Sequence, residues 1–493
     1  MTVVIASFLS FLLLFLLVGI SSLYRSRGTP ADYYLASSAV HPALVGLSAV
    51  ATNNSGYMFI GVIGYTYATG LASVWLMIGW IAGDLLGSLM VHRQLRRATG
   101  HTGEVTFPGV VARWTGLRQR WLRLVAGVLT ILFLGAYAAA QLSAGGKALH
   151  AMFGWNTSSG AVLVASIVVV YCLAGGIRAS IWTDAAQSFV MLVAMGAMLY
   201  AAVDGLGGLQ ASWSRLEAIP GFMNWFPQDL IVPGAGGMAL FAAGWMFAGL
   251  SAIGQPHIAV RFMALDRGER ITQARVWYYG FFVIFYAMAT GVGLLSRIYL
   301  PELATLDPEL ALPPMAQQLL PPLLVGLILA GIFAATMSTA DSLVLSCSAS
   351  LTNDLTPRPI HSTLAAKAAT FAVTALALGI AVAETQSVFA LVILAWSTLA
   401  SAFVPLLIVY VRGHRPAEAH ALLMMLVGVA MALAWRAIGL HEQIYEGFPG
   451  IVVGLLVFYV PHWLRGSFHT VGRGGSRAPT WSTSAGGAQA DDP

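Results

Sequence analysis

The chain has 493 residues, 58% of them hydrophobic and only 9% charged, with a mean hydropathy of +0.77; an ordinary soluble domain is about a quarter charged, so a soluble enzyme is excluded. Cys172 and Cys347 both lie in apolar runs and cannot build a disulfide framework; with no CxxC or Cys/His ligand spacing, a catalytic metal or redox centre has no support either. The net charge of +5 would suit nucleic acid, but where the charges lie matters more than their sign.

With ~20 apolar residues needed per membrane-spanning helix, runs punctuated by Gly, Pro and charge predict spans at 3–23, 40–65, 71–91, 122–144, 159–175, 183–203, 233–253, 274–296, 321–350, 364–383, 387–411, 418–437 and 448–464. The first run has neither a charged leading region nor a small-residue cleavage site, so it reads as a retained span with the amino terminus outside. That orientation puts 21 of the 25 Lys and Arg on the cytoplasmic side, Arg261 among them, and leaves only Lys147, Arg215, Arg297 and Arg436 outside. The positive-inside rule favours it over its inverse. The basic excess is thus a topology signal, which removes nucleic acid as a partner and points to a plasma (cell inner) membrane with the lipid bilayer as surroundings. Residues 1–465 are expected to form one transmembrane domain, and the Gly/Ser/Ala-rich 466–493 a disordered cytoplasmic tail.

Three acids remain at membrane depth: Asp84, Asp184 and Asp341. Each is costly there. For Asp184 and Asp341, near predicted helix ends, capping or pairing with an Arg weighs evenly against a role beside a cation pathway. Asp84, in the middle of WLMIGWIAGDLLGSLMV, is either held by a Ser, Thr or Tyr of a neighbouring helix or bears on such a pathway.

The second span, GLSAVATNNSGYMFIGVIGYTYATG, carries Asn53-Asn54-Ser55-Gly56 at its centre. A polar, Gly-bearing centre is expensive in lipid unless the backbone unwinds around a cavity, where freed carbonyls can hold a cation and a half-helix amino terminus can face an anionic group. Close packing of small residues is the competing explanation. The ninth span holds a second polar cluster at Ser338-Thr339, expected as a second break whose hydroxyls and carbonyls suit a hard cation. The seventh span is Gly-interrupted and ends in Gln255-Pro256-His257. Spans two and seven open two five-helix halves, 40–203 and 233–411, within a core of 40–411. Interrupted helices at corresponding positions point to an inverted repeat, on position alone.

The blocks ALVGLSAVATNNSG, AGGIRASIWTDAAQ, GQPHIAVRFMALD, AATMSTADS and AWSTLASAFVP, in that order, resemble the sodium/solute symporter family over residues 30–410, most closely its sodium/proline branch. The resemblance implies an all-α integral membrane protein of about thirteen transmembrane helices, with a leucine-transporter-like 5+5 inverted-repeat core, flanking helices and alternating access. It also implies Na⁺ as coupling ion, with no cofactor. The family's cation site carries over onto the carbonyls of Ala51, Asn54 and Ala335 and the hydroxyls of Ser338 and Thr339, and Asp184 matches the acid beside the ion's exit path. The substrate set implied is Asn53, Ser55, Gly56, Tyr57, Tyr137, Ala248, Ala252 and Gln255. Proline carriers have an aspartate where this chain has Asn53, a tryptophan where it has Tyr57, and two aromatic residues where it has Ala248 and Ala252, so the pocket is expected to be roomier or differently filled. Tyr137 matches the proline branch.

These features favour a Na⁺-coupled importer of a small organic solute. An integral-membrane enzyme would need a nucleophile with its base or a metal cluster, and no HExxH, GxSxG or paired His in a span is found. A sensor built on a symporter fold is disfavoured by the short tail, and a channel weakly by the missing filter-like loop. Apolar Met58, where sugar carriers of the family place a polar side chain, argues for an amino acid such as proline, or a monocarboxylate.

Overall fold

The computed structural model describes residues 1–302, 307–358, 360, 362–383, 387–442 and 444–464; the tail expected at 466–493 lies outside them. Among the described residues, 11 helical stretches are long and apolar enough to cross a membrane. One of these, 42–102, contains predicted spans two and three, and the shorter Gly447–Pro461 answers to the last. All the predicted spans therefore have a helical counterpart.

In chain order the long helices are α1 (Thr2–Ser21), α2 (Pro42–Gly56), α3 (Val62–Thr69), α4 (Val74–Thr102), α5 (Arg120–Phe153), α6 (Thr157–Gly175) and α7 (Ile177–Asp204). After a surface segment come α8 (Ala235–Leu250), α9 (Pro256–Met263), α10 (Ile271–Tyr299), α11 (Pro322–Asn353), α12 (Thr363–Ala383), α13 (Val388–Val411), α14 (Glu418–Ala437) and α15 (Gly447–Leu464). Their starts follow local chemistry: Pro42 takes the first turn of α2, where its missing N–H costs nothing, and the Asn156 and Ser387 side chains accept from backbone N–H groups at the starts of α6 and α13.

Two helices form the centre. α11 and α13 are apolar on nearly every face, the pattern of a helix surrounded by others. α11 packs on α2, α5 and α7, whereas α1 keeps Leu9, Leu13 and Leu17 exposed, as a lipid-facing helix does.

Helices α4 and α8 approach almost backbone to backbone. A Cβ on Gly83 would lie 1.8 Å from the Met246 carbonyl oxygen, one on Gly249 2.0 Å from that of Trp80, and one on Gly79 2.7 Å from the Trp245 side chain. Small residues are what allow such contact between membrane helices.

Two expectations are corrected here. α11 runs unbroken through Ser338 and Thr339, because each hydroxyl finds a neighbouring carbonyl and the ladder need not open. Neither Asp184 nor Asp341 is at a helix end: α7 begins at Ile177, after Gly176 with its positive φ of 57°, and carries Asp184 fully buried two turns in, while Asp341 is fully buried inside α11.

Candidate cation and solute site

The first break falls at Ser55, whose φ of 35° and ψ of −178° lie outside the helical region. A positive φ is uncommon for a residue with a Cβ, and here it is held from both sides. The Gly56 N–H donates to Gln141 Oε1 at 2.9 Å and the Tyr57 N–H to Ser55 Oγ at 3.0 Å. Gly56 must be glycine for closeness: a Cβ would sit 2.7 Å from Thr336 Cγ2 of α11. The second break lies between α8 and α9, where a tight turn, Ser251–Gly254, leads into extended Gln255 (φ −93°, ψ 109°), and Pro256 starts the next helix. Spans two and seven are thus interrupted at corresponding places.

Rings pack against one another beside the breaks. Tyr57 lies 5.5 Å from Trp80, Trp80 5.2 Å from Trp396, and His257 6.2 Å from Trp396 and 5.5 Å from Tyr137, centroid to centroid. Trp396 Nε1 donates to the Ala248 carbonyl at 2.9 Å, and Gln255 Nε2 to the Trp396 carbonyl at 2.9 Å. An indole from α13 therefore fills the side of the site that small Ala248 leaves open, while Ala252 is buried in the turn. Trp80, His257 and Trp396 were not singled out as site residues; two of them stand inside the quoted blocks, and buried Trp with a polar neighbour was the available signal. Several buried polar atoms here have no protein partner: both amide atoms of Asn54, the Tyr57 hydroxyl, Gln255 Oε1, Gln141 Nε2 and both ring nitrogens of His257. They are donors and acceptors of the kind that a small polar solute can use.

On the α11 side of the break, Ser338 Oγ lies 3.2 Å from the Ala51 carbonyl oxygen and 3.1 Å from that of Ala335. The Asn54 carbonyl accepts from the Tyr57 N–H. Thr339 stands one position over, its hydroxyl donating to Thr52 O at 2.9 Å. The structure thus brings Ala51, Ala335 and Ser338 to one point and directs Thr339 beside it. These are uncharged oxygens, the donor type a hard monovalent cation accepts.

Arg261 was counted with the cytoplasmic basic residues; in the structure it is fully buried. From α9 it faces Asp184 of α7 at 3.4 Å and Asp341 of α11 at 3.5 Å. Ser48 Oγ donates to Asp184 at 2.6 Å, while Ser180 Oγ and the Tyr171 hydroxyl donate to Asp341 at 2.7 and 2.8 Å. Arg261 also bonds to Ser180 and Ser342. An Arg beyond the end of the predicted span 233–253 reads as a loop charge in sequence, and only the fold shows the two acids waiting for it. Asp84 has other partners: Asn53 Nδ2 at 3.2 Å, the Tyr278 hydroxyl at 2.5 Å and the Tyr279 hydroxyl at 3.2 Å.

The model of the sodium:solute symporter family matches residues 33–428. The chain belongs to that family. This symporter is 30% identical over 449 residues to the high-affinity proline transporter PutP of Bacillus subtilis, covering 89% of this chain and 93% of the relative. It is also 30% identical to sodium/proline symporter 2 of Staphylococcus saprophyticus, over 90% of this chain and 89% of that one. Among solved structures, a Na⁺-coupled sialic acid symporter in a substrate-bound outward-open state superposes with a TM-score of 0.79 at 18% identity, covering 94% of this chain and 98% of the other. The nucleobase-cation symporter Mhp1, closed around bromovinylhydantoin, superposes at 0.57 with 17% identity, covering 90% and 96%. At these identities the likeness is one of fold. It is the leucine-transporter-like arrangement expected from the sequence, and the chain is a multi-pass, sodium-coupled symporter.

Proposed function

We propose that this symporter imports a small zwitterionic amino acid, proline first, by letting Na⁺ run inward through alternating access of halves 40–203 and 233–411. The observation that carries the reading is the pair of helix breaks with unpartnered polar atoms beside them, enclosed by Tyr57, Trp80, Tyr137, His257 and Trp396. Broken helices offer free amides to a carboxylate, and rings accept an apolar ring or chain. The named proline transporters among its relatives support the same solute. In this reading Asn53, Ser55, Gly56, Tyr57, Tyr137, Ala248, Ala252 and Gln255 surround the solute. Na⁺ is held by the carbonyls of Ala51, Asn54 and Ala335 with the hydroxyls of Ser338 and Thr339, and Asp184 stands on its exit side. The amino terminus faces outside and the basic end of the bundle faces the cytoplasm.

A monocarboxylate is the second reading, favoured because among the described residues no carboxylate at either break is open to an ammonium group: position 53 is Asn, and Asp84 is covered by three donors. Uptake in proteoliposomes with and without a Na⁺ gradient, using proline, proline methyl ester and pyruvate, separates the two. Proline uptake that depends on Na⁺ and is not inhibited by the ester supports the first reading; pyruvate uptake without proline uptake replaces it with the second. Ser338→Ala and Thr339→Ala each remove one cation oxygen, and a charge-assisted contact is worth ~1.5–3 kcal/mol. Each should raise the Na⁺ concentration for half-maximal uptake about tenfold or more. Unchanged Na⁺ activation in both would reject the ligand set.

A further inference from the structure

Asp84 and the Asp184–Asp341 pair are both buried, but they are neutralised differently. Arg261 lies between the pair, whereas Asp84 receives only neutral donors. No Lys or Arg among the described residues forms an ion pair with it. An isolated buried carboxylate is costly and is relieved by a proton or a cation. The groups around Asp84 donate to it: an amide NH₂ and two hydroxyls. A hydroxyl in that shell can also turn and accept, which is what a protonated carboxyl requires of it.

Along the same face of α4, Ser88 and His92 follow Asp84 at i+4 and i+8, the spacing that stacks side chains in a row. All three are buried. Ser88 Oγ pairs with His92 Nδ1 at 3.0 Å and accepts from Arg275 Nε at 3.0 Å, and Arg275 Nη2 donates to the Ser88 carbonyl at 2.5 Å. His92 Nε2 has no protein partner. A polar row thus runs from Asn53, beside the first break, to the basic end of the bundle. The titratable and charged groups on the elements packed against α4 include Glu269 and Arg270 of the 268–270 turn and Arg113 at the end of the 107–113 helix, with Arg93 next to His92 on α4 itself. Helix α10 brings Tyr278, Tyr279 and Arg275; α8 and the 251–254 turn carry none. Of α9, His257 faces Tyr137 and Trp396 and Arg261 is taken by its two acids; of α13, Tyr410 stacks on Trp114.

We infer that Asp84 is a proton-carrying site, with Ser88 and His92 as its route to the basic end, so that one proton accompanies Na⁺ and solute through the cycle. This rests on the reading of the chain as an importer of a small solute. On the outer-facing side the carboxylate takes H⁺ from water and an O–H bond forms on Oδ2. The Tyr278 hydroxyl, which donates to that oxygen, must then turn and accept. Because Tyr278 also receives the Asn53 amide N–H, its turning moves Asn53 at the break, which links proton occupancy to the solute site. On the inner-facing side the proton leaves past Ser88 to the His92 ring and to water, restoring the carboxylate. No electron moves and no other reactant is needed.

Two measurements on the full chain test this. In proteoliposomes with clamped membrane potential and fixed Na⁺, an alkaline-inside gradient of one pH unit adds ~1.4 kcal/mol per proton. It should therefore raise steady-state proline accumulation about tenfold in the wild type. Asp84→Asn should retain none of that rise, and His92→Gln should slow its onset. Wild-type accumulation indifferent to the gradient, or an Asp84→Asn response equal to wild type, overturns the inference. The second measurement needs no solute, so it stands even if proline is not carried: infrared titration should show a protonated-carboxyl band that Asp84→Asn abolishes. Should that variant fail to fold, Tyr279→Phe, which keeps the acid and deletes one donor, should shift the midpoint of that band to higher pH. A wild type without the band, or an unmoved midpoint in Tyr279→Phe, equally overturns it.

Discussion

At the basic end of the core, α7, α9 and α11 meet through Arg261, Asp184 and Asp341, each fully buried. At the opposite end α3, α8 and α13 meet mainly through rings: Phe389 stacks on Tyr57 at 5.3 Å and on Tyr65 at 5.5 Å, and Tyr65 meets Trp245 at 5.5 Å. The difference concerns how each end can open. A ring contact of this kind is worth ~0.5–1.5 kcal/mol beyond its buried area and yields stepwise to rotamer changes. A buried charge set does not yield stepwise, because removing one member leaves the others unpaired in a medium that cannot solvate them. Such an end separates only when water or another group replaces the lost charge.

The largest effect should come from the ionic end. Arg261→Ala leaves two buried carboxylates without their cation, and breaking a buried pair costs ~3–5 kcal/mol. Little folded protein should survive in detergent, judged by thermal unfolding. The triple variant Arg261→Met, Asp184→Asn, Asp341→Asn should recover much of the loss, since neutral groups of similar shape need no counterion. An Arg261→Ala protein that melts like wild type would dissolve the contrast between the ends.

At the aromatic end the expected loss is smaller. Phe389→Ala removes the stacking partner of both Tyr57 and Tyr65, ~1–3 kcal/mol for the two contacts. The variant should fold, melt somewhat lower, and admit a thiol reagent faster to a cysteine placed at Ala252. Equal labelling rates would show that the rings do not close that end.

The smallest effect is one of pH. Burial raises the Glu309 carboxyl, but Lys147 at 2.6 Å, the Phe389 N–H at 2.9 Å and the Ser387 hydroxyl at 2.7 Å outweigh it and hold the group below its usual value. A depressed acid contributes stability above its unfolded value, about 4.3 for Glu, and that stability is lost as pH falls through the lower folded value. Melting temperature should decline with acid through that window, and the decline should be shallower in Glu309→Gln. Identical pH profiles would mean that Glu309 does not help fasten the start of α13.

Much of this arrangement was legible in the residues. Asn53-Asn54-Ser55-Gly56 and Gln255-Pro256 announced the breaks because polar or N–H-deficient backbone at membrane depth has to be satisfied by something other than lipid. Ser338 and Thr339 looked like a break for the same reason, wrongly, since the Ser338 hydroxyl bonds back to the Ala335 carbonyl and the Thr339 hydroxyl across to that of Thr52, both from an intact helix. The partners of Asp84 could not be read: Tyr278 and Tyr279 lie 194 and 195 positions away, and no local period reports contacts at that separation. Arg261 was misread because counting basic residues by side treats a charge near a helix end as solvated. Trp396 was visible within its block, yet that it would occupy the side left open by Ala248 depends on how α13 crosses α8.

The glycine contacts between α4 and α8 have a mechanical meaning. Two rods whose backbones come this close resist sliding and rolling past each other, and so behave as one spliced beam. With 29 residues, α4 is ~43 Å long at 1.5 Å per residue, and its far end is anchored where Arg96 grips the Leu265 and Asp266 carbonyls. A slight tilt of the break that follows α8 is therefore delivered, with leverage, to the surface where the basic residues gather.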